Sequence, residues 1–365
     1  GDMQHIDSFE EWRRQILPKM AKSAGEGVVP MAFQFPMRRG HATDFIKKTT
    51  VLIDRIEDEY SLRIGPDIRR LVDAIQRPVP EPEVALVYQS FAASALPGGG
   101  GGEFYFYQNG IRQVEGALRQ MGVHLEVIPY EHLATKDLSE YKLVVIPDPM
   151  YLGFQDKKEL FTGLPGVPHT LFMGEYGLTH HDPISATGNY QSAWSASWQA
   201  GPYCLRYFKS PEAGFTKTAT DHPLVDNLHQ LDKIHYPADQ MFAVEPLPKD
   251  AEVLLHLGKN PLLFTADEGR AIFLTNRVMP ATWNSRDAFL EKFSFQFLKN
   301  LMEYCDVAIR VKSDSQKPVH LGFPYGSYGV VGHMAYNATE QDISIELTSG
   351  EKINLPANGW TTLPE

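Results

Sequence analysis

Residues 250–278, with the sequence DAEVLLHLGKNPLLFTADEGRAIFLTNRV, contain three short apolar runs in direct succession. The runs cover residues 253–255, 262–264 and 271–274, and they are separated by Gly-Lys-Asn and by Asp-Glu-Gly. Glycine, asparagine and aspartate between β-rich runs end one strand and start the next. The segment therefore predicts a three-stranded meander, and a meander of this kind usually finishes a sheet.

Upstream of the meander, strand-like and helical patterns alternate. Residues 84–88, 125–128 and 143–146 are short aliphatic runs, and a helical pattern at 104–121 lies between the first two. This β-α-β-β series is typical of an open parallel sheet. A second helix is predicted at 285–304. The two apolar stripes consist of Ile111, Val114, Leu118 and Met121, with Gly122 ending the helix, and of Phe289, Phe293, Phe297 and Leu301.

Three domains are predicted along the 365 residues. Residues 1–81 form a helical N-terminal segment that ends in a proline-rich linker, QRPVPEP, where the prolines favour an extended path. Residues 82–306 form the α/β domain. Residues 307–365 have short alternating runs without helical spacing, which indicates a small β-sandwich.

Several of these runs, taken in order, resemble the family 42 β-galactosidases. The strands at 84–88, 142–147 (KLVVIP) and 169–179 (HTLFMGEYGLT), followed by the meander, are similar to the domain that trimerises those enzymes. The segments 331–347 and 353–363 are similar to the β-sandwich that closes them, where a strand ending in Asn-x-Thr precedes a last strand of the form LPxxG.

The resemblance implies a class I glutamine amidotransferase-like, flavodoxin-like fold and a homo-oligomer, either a trimer or a dimer. It also implies that residues 26–40 correspond to the last strand and loop of the family's catalytic barrel. The segment after Gly40 lacks the Glu and His pair of that loop. A retaining glycosidase needs two carboxylates about 5 Å apart, and no such pair is recognisable. No catalytic residue is therefore assigned, and whether the chain is itself an enzyme stays open.

The charge of the chain bears on which classes of partner it binds. The formal net charge is −11, whereas nucleic acids and anionic membranes attract basic surfaces. We therefore expect neither partner and favour a carbohydrate ligand. The run of glycines at 98–102 lacks the surrounding residues of a phosphate-binding loop, so no cofactor is expected. We expect a soluble bacterial protein, with cytoplasm and periplasm both open, and buried free thiols for its two cysteines.

The densest aromatic stretch supplies the first candidate binding residues, Tyr190, Trp194 and Trp198. The two tryptophans are four residues apart, so a helix would place both indoles on one face. Aromatic faces stack on the apolar faces of sugar rings. The alternative is that both indoles belong to the core or to a subunit interface, and the spacing favours this alternative.

Glu175, His180 and His181 are the other candidates. Glu175 follows the strand that leads, in glutamine amidotransferases, to a nucleophilic cysteine between glycines. That cysteine is absent here, so Glu175 is a substrate-rim residue or a polar strand end. His180 and His181 precede Asp182, but adjacent residues rarely ligate the same ion, so no metal is assigned. We interpret the histidines as rim contacts or as a satisfied loop cluster.

Three functional hypotheses follow. The first is a non-catalytic assembly and substrate-rim portion of a glycoside hydrolase. The second is an independent small-molecule enzyme with an amidotransferase-like fold that uses Glu175, His180 or His181. The third is a carbohydrate-binding protein that uses the region around Trp194.

Overall fold

The structure is a computed structural model. The residues that it describes are 77, 79–88, 111, 114–133, 135–147, 162–173, 204–209, 215–217, 221–228, 240–245, 247–275, 288–312, 328–339 and 341–363. For residues 204–209, 215–217, 240–245 and 288–292 and for Glu131, only the backbone is described.

The described residues form a mixed sheet of eight strands. The sheet strands are β1 (Val84–Tyr88), β2 (Leu125–Pro129), β3 (Leu143–Pro147), β4 (His169–Met173), β6 (Phe215–Lys217), β8 (Glu252–Leu257), β9 (Asn260–Ala266) and β10 (Ala271–Leu274); β5 (Cys204–Lys209) and β7 (Gln240–Glu245) form a separate antiparallel pair. The order across the sheet is β2-β1-β3-β4-β10-β9-β8-β6. The first five strands in this order are parallel, and the last three are added by antiparallel pairing.

The predicted meander is confirmed, and it extends the parallel sheet through β10. Asp267 and Glu268, in the turn between β9 and β10, have positive φ values of 53° and 55°. The side chain of Asp250 accepts a hydrogen bond from Asp267 N at 2.8 Å, and Asp267 pairs with Arg270 at 3.2 Å. Arg270 Nη2 also donates to the carbonyl of Leu164. These contacts hold an otherwise unfavourable turn against the segment that leads into β4.

Both faces of the sheet are buried, as a parallel sheet requires. On one face, Val84 and Leu86 pack with the helical residues, while Ala85 and Val87 lie on the other. The second face contains a stack of three phenylalanine rings from β4, β10 and β9. Alternation along β1 thus divides the core into two layers.

In the part of the chain that the structure describes, two helices pack on the first face. The helix α1 (114–120) contributes Val114 and Leu118, and α2 (Ala288–Tyr304) contributes Phe293 and Phe297. At the end of α1, Gly122 N donates to the Arg119 carbonyl and Val123 N to the Leu118 carbonyl, each at 3.0 Å. This Schellman arrangement caps the carbonyls that the helix leaves unpaired. The predicted stripes are confirmed at Ile111, Val114, Leu118, Met121, Phe293, Phe297 and Leu301.

The C-terminal region contains two small antiparallel sheets around a shared core. Asn337 is fully buried at the end of β12, and its side-chain amide donates to the carbonyls of Gln341, Leu355 and Pro356. It therefore joins the two sheets. The strands are β11 (Tyr328–Val331), β12 (Met334–Asn337), β13 (Ile343–Glu346), β14 (Lys352–Leu355) and β15 (Gly359–Thr362).

The described residues support a mixed α/β architecture with additional antiparallel sheets. The N-terminal prediction for 1–81 falls outside them except at 77 and 79–81. The predicted helix residues 104–110, 112–113 and 285–287 and the side chain of Phe289 are also outside the description. The three domain boundaries stay predictions. In the part of the chain that the structure describes, no helix combines the length and apolarity needed to cross a membrane.

Candidate functional site

The order of the parallel strands defines one crevice. Strand β1 lies between β2 and β3 in the sheet. The chain therefore moves from β1 to its neighbour on one side, β2, and then crosses back over β1 to its neighbour on the other side, β3. In open α/β sheets, ligands bind outside the carboxyl ends of the strands at this switch point. The site is therefore expected beyond Tyr88 and Pro147, the last residues of β1 and β3.

The register places the carboxyl ends of the central strands at one level. Pro147 is opposite Met173, and Leu86 is opposite Val145, which leaves Tyr88 level with Pro147. Neighbouring strands lie about 4.8 Å apart, so the ends of β1, β3 and β4 fall within about 10 Å. The edge is thus narrow enough for one small ligand to meet segments from three strands.

The predicted site residues fall outside the described part of the chain. Glu175 follows Met173, the last residue of β4, by two positions in the sequence. Tyr190, Trp194, Trp198, His180 and His181 belong to the stretch 174–203, of which the structure gives no description. Their roles stay predictions.

At the opposite end of the sheet, the Tyr304 ring lies close to two histidine rings. Its ring centroid is 5.1 Å from that of His169 and 5.4 Å from that of His222. His169 Nδ1 is 3.3 Å from the carbonyl oxygen of Gly269, and His222 Nδ1 accepts from Leu224 N at 3.2 Å. This His-Tyr-His cluster joins the start of β4, a loop and the end of α2.

Burial fixes the protonation of this cluster. It lowers the pKa of His169 and of His222, and it raises the pKa of the Tyr304 phenol. The neutral forms of all three groups are therefore favoured near pH 7. Neutral rings pack without a counter-ion, so the cluster suits a structural contact between β4 and α2.

Glu126 on the edge strand β2 is held by two donors. Lys136 Nζ donates to its carboxylate at 2.8 and 2.9 Å, and the Tyr141 hydroxyl donates at 2.5 Å. Burial raises the pKa of Glu126, but these hydrogen bonds outweigh burial and the net direction is downward. An ionised carboxylate of lowered pKa is the opposite of what a glycosidase general acid requires.

A polar junction connects the α/β core to the C-terminal sheets. Arg310 Nη1 lies 2.7 Å from the Gly332 carbonyl oxygen, to which it donates, and 3.2 Å from His124 Nε2. Arginine can only donate, so Nε2 of His124 is the acceptor and the ring is neutral. Burial, followed by the charge of Arg310, lowers the pKa of His124 to about 4. His124 is therefore neutral over the physiological pH range, and the junction is a packing contact.

Cys305 is a free, buried thiol in the core, 4% exposed. Burial strongly raises its pKa, and a thiol that stays protonated is a poor nucleophile. For Cys204 only the backbone of β5 is described. Within the described ranges, no three His, Cys, Asp or Glu side chains are grouped for a metal ion.

No family model and no curated protein matches the sequence. Solved structures do match. They include the β-galactosidase from Bacillus circulans sp. alkalophilus, with 17% identity and a TM-score of 0.50 over 88% of this chain and 45% of that one. The cold-adapted β-galactosidase from Rahnella sp. R3 has 13% identity and a TM-score of 0.50 over 88% and 44%.

The fold is shared with part of these β-galactosidases. A GH42 β-galactosidase from G. stearothermophilus also matches, with 17% identity and a TM-score of 0.48 over 90% of this chain and 47% of that one. The chain thus spans less than half the length of each enzyme. The predicted resemblance is supported at the level of structure, whereas the sequence comparisons add nothing to it.

The His-Tyr-His cluster and the Arg310 junction were not anticipated from the sequence. Their members are separated by many positions: His169 is 135 residues from Tyr304, and His124 is 186 residues from Arg310. No local periodicity links residues so far apart. For the His-Tyr-His cluster, the sequence offers one signal, the polar residue His169 at the first position of β4. A histidine at a strand end does not by itself indicate which residues it contacts.

Proposed function

We propose that the chain is the assembly and substrate-rim portion of a glycoside hydrolase of the β-galactosidase type. The observation that carries the proposal is the match of 88% of the chain to 45% of the B. circulans β-galactosidase. A match of that extent fits a non-catalytic part of a larger enzyme. The finer fold that we assign to residues 82–306 is flavodoxin-like and amidotransferase-like, on the strength of the parallel order β2-β1-β3-β4-β10.

Three carboxylates in the described part of the chain are engaged in ion pairs. Glu126 is bound by Lys136, Asp267 by Arg270, and Glu83 by Lys142 at 2.7 Å. Each of these three carboxylates has a cationic partner, and for Glu126 the hydrogen bonds from Lys136 and Tyr141 outweigh burial and lower the pKa. A retaining mechanism instead needs one carboxyl group with a raised pKa beside a second carboxylate.

The strand order of the sheet supports the rim role. The segments that follow β1, β3 and β4 begin at one edge, which is the edge where folds of this type hold ligands. In our proposal Glu175, His180 and His181 contribute from this edge to a substrate pocket completed by a catalytic domain. The ligand is a carbohydrate, and the portion assembles as a homotrimer or homodimer.

The independent enzyme with an amidotransferase-like fold, which would use Glu175, His180 or His181, stays a prediction because these residues lie outside the described part of the chain. Glutamine amidotransfer requires a reactive cysteine at a strained turn. Cys305 lies instead at the end of α2 in the core, with a raised pKa. The carbohydrate-binding hypothesis for Trp194 and Trp198 stays a prediction.

We expect the purified chain to form a stable oligomer. Obligate interfaces are large and apolar and survive dilution, so light scattering at micromolar concentration should give two or three times the monomer mass of 41.1 kDa. A tenfold dilution serves as the control for weak association. A constant mass of one chain at both concentrations would remove assembly from the proposal.

We expect the chain alone not to hydrolyse chromogenic galactosides. The reason is the lack of a recognisable acid and nucleophile pair in its sequence. The measurement is release of nitrophenol at high protein concentration, with a known β-galactosidase as the positive control. Turnover that copurifies with the chain, and that one carboxylate-to-amide change abolishes, would show that the catalytic pair is present after all.

A further inference from the structure

The side chain of Arg310 docks the turn between β11 and β12 on the α/β core. Its Nη1 donates to the carbonyl of Gly332 in this turn at 2.7 Å and lies 3.2 Å from His124 Nε2. Gly332 is buried, so its carbonyl needs a protein donor in place of water. His124 precedes β2, and its own carbonyl accepts from Glu83 N and Val84 N at the start of β1. Arg310 therefore links the C-terminal sheets to the amino edge of the parallel sheet.

The backbone fixes the position from which the Arg310 side chain extends. The amides of Arg310 and Val311 donate to the Met121 carbonyl at 3.1 and 3.0 Å, and Thr348 N donates to the Arg310 carbonyl at 2.8 Å. These backbone bonds do not depend on pH. The two contacts of the guanidinium are the part of the junction that a change of charge can break.

The contact between Arg310 and His124 requires a neutral ring. A guanidinium has five N–H donors and no acceptor, so Nε2 of His124 must offer its lone pair. A second proton on the imidazole turns Nε2 into a donor and places two positive charges 3.2 Å apart. Repulsion between like charges then replaces the hydrogen bond.

The surrounding charges do not offset that repulsion. Arg119 on α1 and His333 in the β11–β12 turn also oppose protonation of His124. Of the described charged groups that act on the ring, only Glu83 favours protonation. Glu83 Oε1 is 2.7 Å from Lys142 Nζ, and Oε2 accepts from a backbone amide at 2.8 Å. The negative charge of Glu83 is therefore already balanced by Lys142.

We propose that this junction is an acid-operated latch, in which protonation of His124 releases the β11–β12 turn from the α/β core. Release exposes the ring to water and separates it from Arg310, so the open form holds the proton better than the docked form does. The latch gives the position of the C-terminal sheets a dependence on pH. It is independent of the proposed function, since it uses neither the carboxyl edge of the sheet nor the predicted rim residues.

The pH window of the latch follows from the two forms of the junction. Docking lowers the pKa of His124 from its ordinary value of 6.5 to about 4, first through burial and then through the charge of Arg310. A lowered pKa means that docking is fully favoured above pH 6.5 and loses this advantage as the pH falls toward 4. Linkage between the two values gives a rise in the open fraction on the order of tenfold from pH 7 to pH 5.

The first test is an NMR titration of the His124 imidazole in the full chain labelled with ¹⁵N-histidine. We expect a midpoint well below the ordinary 6.5. Arg310→Gln should raise this midpoint, because it removes the positive charge beside the ring. A midpoint at or above 6.5 in the unsubstituted chain would overturn the proposal, since the docked ring would then accept the proton without cost.

The second test is hydrogen exchange at pH 7 and pH 5, corrected for the intrinsic pH dependence of amide exchange. Peptides from residues 328–337, which cover β11 and β12, should exchange on the order of tenfold faster at pH 5, because they report the open fraction. Peptides from β1 and β3 should change much less. This local readout separates the latch from general loosening in acid, to which His169 and His222 contribute through their own lowered pKa values.

His124→Gln is the decisive variant for the exchange measurement. The glutamine amide oxygen can still accept from Arg310 but does not titrate in this range, so the pH dependence in 328–337 should disappear. His132→Gln is the matched control, since His132 is exposed in the short helical turn after β2, and it should leave the pH dependence unchanged. Melting temperatures at pH 7.5 show whether both variants are folded, and the titration of the unsubstituted chain decides the matter if His124→Gln is not. The latch is refuted if exchange in 328–337 rises no more than in β1 and β3, or if the rise persists in folded His124→Gln.

Discussion

Phe273→Ala should lower the free energy of unfolding by about 3 to 5 kcal/mol, as expected for removal of a buried aromatic ring. Phe273 in β10 is 2% exposed and is stacked between Phe172 and Phe264, with ring centroids 4.9 and 4.8 Å away and interplanar angles of 10° and 14°. Its removal leaves two rings facing a cavity, and the three strands cannot close on it without breaking register. Urea unfolding followed by circular dichroism measures the loss.

The control for this substitution is Val127→Ala on the edge strand β2. Val127 is 38% exposed, so its truncation removes little buried area and should cost well under about 1 kcal/mol. Phe273→Leu, which keeps most of the volume, should fall between the two. If Phe273→Ala cost no more than Val127→Ala, the phenylalanine stack would not be the core of that face.

The strands could be predicted from sequence because each is a short local pattern. The runs at 253–255, 262–264 and 271–274 have turn residues at both ends, and both the period and the turn chemistry favour strands there. Helix ends were also local signals, as Gly122 shows. The order of the strands in the sheet is harder to predict from the sequence, because the pairing of β4 with β10 joins residues about 100 positions apart.

The candidate site was harder to predict than the fold. Aromatic and histidine clusters indicate chemistry by residue type, as at Trp194 and His180, but they do not indicate which strand end lies beside them. The Arg310 junction illustrates the difficulty, since His124 and Arg310 are separated by 186 positions.

The LPxxG motif shows how a resemblance can have a local physical cause. Gly359 begins β15, three residues after Pro356, and a Cβ at this position would lie 2.6 Å from the Pro356 ring. No side chain fits in that space. The motif therefore reflects steric fit at a turn and carries no information on ligand binding.

Gly122→Ala should destabilise the chain more than a left-handed glycine ordinarily would. Gly122 has φ of 73°, and a side chain in that region costs about 1 to 2 kcal/mol. In addition, a Cβ here would lie 3.0 Å from Arg310 Cβ and 3.1 Å from Val311 Cγ2. The backbone amides of both residues also donate to the Met121 carbonyl, at 3.1 and 3.0 Å. The crowding therefore falls where α1 meets the segment at 310–311, whose Val311 forms an isolated bridge with Leu347 of the C-terminal sheets.

Gly166→Ala isolates the crowding from the backbone cost. Gly166 has φ of 79°, and a Cβ there would meet nothing within 4 Å. Both substitutions carry the same cost of a left-handed side-chain residue, so the difference between their losses of unfolding free energy measures the cost of displacing Arg310 and Val311. Overpacking of a core typically costs roughly 1 to 3 kcal/mol, and we expect a difference of that size. Denaturant unfolding of both variants gives the comparison. Equal losses would mean that the segment at 310–311 moves away freely and that the contact with α1 does not hold the C-terminal sheets in place.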